Sequence, residues 1–123
     1  MPYSFSTIDK EDYLFFNVDG EANALDDIIA HAESVISQAR KFKHTRLLMD
    51  ETALVMNVDA HDIILFAKWF AETKVAGTGF RAAVVCSQCN RSLIRSSETA
   101  LQNRSISYKM FKNVESAKEW LMR

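Results

Sequence analysis

Phe80-Arg81-Ala82-Ala83-Val84-Val85-Cys86 is the stretch that decides the fold. Ala82 to Val85 is an uninterrupted apolar run, the pattern of a strand covered on both faces. Helix-period segments flank it. One opens at Asp59, with Asp62 in its first turn and Ile63, Phe66, Ala67, Phe70 and Ala71 as its core stripe; the other opens near Asn90 and is held by Leu93, Ile94, Ala100 and Leu101. A strand placed between two helices needs parallel neighbours, because each helix carries the chain back to begin the next strand in the same direction. Leu47–Met49 is predicted to be one such neighbour.

Working outward, strands are predicted over 3–8, 13–18, 46–50, 80–86 and 106–111, with helices from Asn23, Asp59, Asn90 and Asn113. Tyr3 to Ile8 and Tyr13 to Val18 read as an antiparallel hairpin joined by Asp9-Lys10-Glu11-Asp12, and Asp19-Gly20 reads as the end of the second strand. The first helix shows Leu25, Ile28, Ile29, Ala32, Val35, Ile36 and Ala39 on one face, which puts His31 on the solvent side. Leu47-Leu48-Met49 reads as a short buried strand stopped by Asp50-Glu51-Thr52, with no established period from Thr52 to Val58. The order β-β-α-β-α-β-α-β-α is an α/β fold with a mostly parallel five-stranded sheet.

A chain of 123 residues, 48% hydrophobic and 25% charged, suits one globular domain over 1–123. No basic leader or long apolar segment opens it, and no apolar run approaches the roughly 20 residues of a membrane span, so a cytoplasmic protein is expected. Residues 1–62 hold 12 acidic and 5 basic side chains, against 4 and 10 in residues 63–123. No basic stripe with interleaved aromatics accompanies that asymmetry, so nucleic acid is not an expected partner.

The sharpest local motif is Cys86-Ser87-Gln88-Cys89. A CxxC at a strand end opening a helix is where a helix dipole lowers a thiol pKa, which makes Cys86 and Cys89 redox candidates against the reading of inert thiols. The chain's single proline is Pro2, so no thioredoxin-type cis-proline flanks the pair. His31, His44 and His61 are scattered and supply no zinc set, so no metal or cofactor is expected. No P-loop, GxSxG, GxGxxG or HExxH occurs, and no catalytic residues are assigned. Leu65 and Trp69 lie outside the core stripe of their helix. With Ile64 and Val75, and with Leu54 and Met56 from the irregular segment, they form either a self-association surface or a face that residues 52–58 cover.

In a parallel sheet, partners meet the C-terminal strand ends. That reading makes Asp50, Glu51 and Thr52 a candidate binding surface, beside Ser87, Gln88, Asn90 and Arg91. The opening hairpin, Gly20 before a long helix, the buried strand ending at Asp50 and the closing Phe111-Lys112-Asn113-Val114-Glu115-Ser116-Ala117-Lys118-Glu119-Trp120-Leu121 together resemble the STAS-like domains, named for sulfate transporters and anti-sigma-factor antagonists. The closer likeness is to the small stand-alone SpoIIAA-like bacterial members, across nearly the whole chain. The resemblance implies a right-handed β-α superhelix and regulatory protein binding rather than catalysis. It also implies a phosphorylated serine in an Asp-Ser-Ser-Gly turn. Here that turn is Asp50-Glu51-Thr52-Ala53, which leaves Thr52 as the hydroxyl to modify and Arg91 or Arg95 to pair with it. Some members are similar to lipid-binding SEC14-type domains. The expected function is a non-catalytic, self-associating regulatory module with an unknown protein partner; a small apolar-ligand or lipid binder is the alternative, and a CxxC redox-sensitive protein a third.

Overall fold

The computed structural model describes residues 3–73, 79–104 and 106–123, excepting the side chains of Tyr3 and Cys89. Its order is β1 (Tyr3–Asp9), β2 (Leu14–Ala22), α1 (Leu25–Phe42), β3 (Arg46–Met56), α2 (Ala60–Glu72), β4 (Arg81–Cys86), a 3-10 turn (Gln88–Asn90), α3 (Arg91–Gln102), β5 (Ser107–Phe111) and α4 (Val114–Leu121). The five strands form one sheet in sequential order. β1 and β2 are antiparallel and all later pairs parallel. Leu47, Leu48 and Met49 lie opposite Ala82, Ala83 and Val84, as the apolar runs predicted.

Sequential parallel strands with right-handed crossovers place every connecting helix on the same face of the sheet. The main core accordingly joins Ile28, Ala32 and Val35 of α1, Ile63 and Phe66 of α2, and Ile94 and Leu101 of α3 to Leu14, Phe16, Val18, Met49 and Val84. α4 follows the last strand and covers the opposite face, where Ala117 and Leu121 pack on Tyr13, Leu48, Ala83 and Val85. That division explains why β4 is apolar on both sides.

Helix starts follow local chemistry in two of four cases. Asp59 accepts from the Asp62 amide at 2.9 Å while the Asp62 carboxylate takes the Asp59 amide, a reciprocal capping box. Asn113 accepts from the Ser116 amide at 2.8 Å and starts α4. Asp59→Ala is expected to lower stability by about 1 kcal/mol in urea unfolding; an unchanged midpoint would show that tertiary packing alone sets the start of α2. Asn23 is not a cap: α1 begins after Ala24, and the Asn23 side chain instead accepts from the Asn57 amide group at 2.7 Å.

Two boundaries depart from the sequence reading. β2 does not end at Asp19-Gly20 but runs to Ala22, with Gly20 at φ 101° inside it. β3 does not stop at Asp50 but runs eleven residues to Met56, pairing with the extension of β2. Val75 and Gly77 lie outside the described residues.

Candidate functional site

The extension of β3 contains an irregularity that organises the site. Asn17 pairs with Asp50, yet Asp19 pairs with Ala53, so β3 holds one residue more than β2 across this step. Such a bulge switches which side of the sheet each later residue faces. Leu47, Met49 and Glu51 face the three-helix side before it, and Leu54 and Met56 do so after it. Asp50 provides the local cause: its Oδ1 accepts from the Thr52 amide at 3.1 Å and from the Thr52 hydroxyl at 2.7 Å, a turn-forming habit of Asp.

Asp50, Thr52, Ala53 and Val55 consequently lie on the α4 side. α4, however, packs on β3, β4 and β5 and on Tyr13 at the start of β2, which leaves the far half of the β1–β3 face open. There Thr52, Ala53 and Val55 are exposed, Val55 to 41%. Alternation brings Asn17, Asp19 and Glu21 of β2 and Ser4 and Ser6 of β1 to the same open face, and Ser4 donates to Asp19 at 2.7 Å. The surface is acidic and rich in hydroxyls, with no basic side chain among these positions. The acidic half of the chain thus gathers part of its charge on one side of the sheet.

Glu51 has the opposite surroundings. It is 6% exposed, directed into the layer beneath α1, and 3.4 Å from Nε2 of His31. His31 is therefore not on the solvent side of α1: its side chain is 13% exposed and its ring stands edge-on to Phe5 at 5.7 Å. The pair borders a cavity of about 100 Å³ between the sheet and helices α1, α2 and α3. Its walls are mainly apolar, with Met49, Leu54, Met56, Phe66, Phe70 and Phe80 among them, and Tyr108 joins from β5. Burial raises the Tyr108 phenol well above its usual range, with the nearby Glu51, Cys86 and Glu98 adding to the shift. Tyr108 thus keeps its proton through neutral pH.

The remaining predicted residues disperse. Arg91 and Arg95 belong to α3, across the sheet from Thr52, and so are not brought to it. Ser87 and Gln88 follow β4, and Cys86 is a buried residue of the strand end opposite Glu51; the Cys89 side chain lies outside the described residues. Leu54 is buried and Met56 packs in the main core, so neither joins Leu65 in an exposed apolar surface. Trp69 lies 6.1 Å from the Phe66 ring and 6.2 Å from that of Phe70, whereas Leu65 stays 37% exposed and Ile64 54% exposed. Sequence reading missed His31 although it stands three residues after Ile28, on the margin of the buried stripe; that spacing was the available signal.

A hairpin followed by three parallel crossovers, with α1 to α3 on one face of the sheet and α4 on the other, is a SpoIIAA-like fold. Among solved structures, the chain is similar to an anti-sigma factor antagonist from Mycobacterium paratuberculosis, at TM-score 0.65 and 16% identity over 98% of this chain and 95% of that one. It is also similar to an uncharacterized DUF3478-family protein with a SpoIIAA-like fold from Shewanella loihica PV-4, at TM-score 0.57 and 18% identity over 97% and 93%. No family model matches the sequence, and no curated protein matches it significantly. Among the described residues, no three His, Cys, Asp or Glu side chains gather as a metal site, and no helix is long and apolar enough to cross a membrane.

Proposed function

We propose that the protein is a non-catalytic regulatory module that binds a basic partner protein through the open sheet face around Asp50 and Thr52. The observation that carries this reading is the bulge. It brings Ala53 and Val55 onto the face that Asp50 and Thr52 already occupy by alternation, beside Asp19 and Glu21, on the half-face that α4 leaves bare. The likeness in fold to an anti-sigma factor antagonist, a protein named for binding another, supports it. Phosphorylation of Thr52 would add about 1.5 to 2 negative charges to an already acidic surface. With Arg91 and Arg95 across the sheet, the modification would act on the partner's cations rather than on a contact within the chain. Replacing Asp19 and Glu21 together by lysine is expected to weaken partner binding at least tenfold in a quantitative binding assay, and added salt should weaken the wild-type complex. Binding that survives both changes would remove this surface from consideration. Self-association through Leu65 and Ile64 is a finer form of the same reading, tested by the mass of Leu65→Glu in light scattering against wild type.

A second reading, binding of an apolar ligand, has its own support in the cavity above Glu51. Its volume is far below what a lipid acyl chain fills, so the ligand it favours is small.

A further inference from the structure

We infer that the cavity between the sheet and α1–α3 takes a neutral, ring-sized apolar molecule carrying one hydrogen-bond donor, with that donor on the Glu51 carboxylate beside His31. The inference rests on the apolar-ligand reading and specifies its chemistry.

Size sets the body of the ligand. A water needs roughly 10–15 Å³ of such space, and an engineered apolar cavity of about 150 Å³ admits benzene. A cavity of about 100 Å³ matches a single ring held closely. Met49 and Met56 in the wall are unbranched and polarizable, able to adjust around a flat guest. Phe66, Phe70 and Phe80 supply aromatic faces and edges.

Glu51 sets the polar end. An ionised carboxylate has about four acceptor sites, and charge-assisted N–H···O bonds close to about 2.7–2.9 Å. At 3.4 Å, His31 leaves the buried Glu51 room for a shorter bond from a guest. The carboxyl oxygens accept hydrogen bonds, so they favour a guest with a donor such as a hydroxyl over an anion. The polar residues that line the same space are Glu51, His31, Asp27, Ser97, Ser107 and the protonated Tyr108.

The test is a titration of the isotopically labelled full chain, followed by amide NMR, with phenol, toluene and benzoate as probes. Saturable shifts centred on His31, Glu51, Met56 and Tyr108 are expected with phenol, at least tenfold tighter than toluene, and none with benzoate. Glu51→Leu should bring phenol to the level of toluene; the comparison of probes on the wild-type chain needs no variant to fold. Equal binding of phenol and toluene would overturn the donor assignment while leaving the apolar-ligand reading intact. Saturable benzoate binding at this site would reverse the assigned polarity. Binding of none of the three would remove both.

Discussion

Asn90→Leu is expected to lower the free energy of unfolding by about 3 kcal/mol, since one buried and one half-buried backbone group lose their partner at roughly 1–3 kcal/mol each. β4 ends at Cys86, opposite Glu51, while β3 continues to Met56. On one side that extension keeps its ladder with β2; on the other it has outrun its neighbour. Asn90 stands in for the missing strand. Its Oδ1 accepts from the Met56 amide at 3.1 Å and its Nδ2 donates to the Leu54 carbonyl. Those groups flank Val55, as a peptide unit of a parallel neighbour would require. Asn90→Asp keeps the acceptor but sets a carboxylate against the Leu54 carbonyl, and should lose about 2 kcal/mol. Urea unfolding with an unchanged slope checks both variants, and hydrogen exchange at Met56 localises the effect. A loss below 1 kcal/mol for Asn90→Leu would show that the extension holds through β2 alone. The consequence reaches function, because Val55 belongs to the open face and Met56 to the cavity wall.

The parallel order was legible because it depends on signals that are local. Ala82 to Val85 is apolar on successive positions, and Asp59 with Asp62, and Asn113, announce their helices by short-range hydrogen bonds. The reach of β3 was not legible. The bulge shifts the core-facing residues from Leu47, Met49 and Glu51 to Leu54 and Met56, so neither helical nor alternating spacing survives across it. Glu51 looks like a strand-ending charge until α1 supplies His31, and that contact is set by how the helix lies on the sheet. The edge chemistry is hidden in the same way. Glu98 accepts from the Met110 amide at 2.7 Å, and Gln102 donates to the Tyr108 carbonyl at 3.0 Å. In the fold both close the outer edge of β5, which would otherwise present open ladder groups. Thus Asn90, Glu98 and Gln102 do for the sheet what a further strand would do. The candidate surface was legible only as the neighbourhood of Asp50 and Thr52, while its acidic character came from β2 pairing alongside.

Arg81→Ala is expected to lower stability by about 3 kcal/mol, lowering Tm by about 10 °C for a chain of this size. Arg81 opens β4, but its side chain closes α4. Nη2 donates to the Trp120 carbonyl at 2.8 Å, and Nη1 donates to those of Leu121 and Arg123 at 3.2 and 2.8 Å. The guanidinium also lies 4.4 Å from the centre of the Trp120 ring. A helix of eight residues is marginal alone, and its last carbonyls need donors; a cation there also suits the helix dipole. One planar fork meets all three needs at once, and a lysine cannot reproduce it. Arg81→Lys should therefore recover less than half of the loss. Since α4 covers Leu48, Ala83 and Val85, its release would uncover apolar sheet beside the acidic half-face. Arg81→Ala should then bind a hydrophobic dye and lose the near-ultraviolet signal of Trp120 below the main unfolding transition. A single cooperative transition at the wild-type temperature, with no dye binding, would show that apolar packing by Ala117 and Leu121 docks α4 without the arginine.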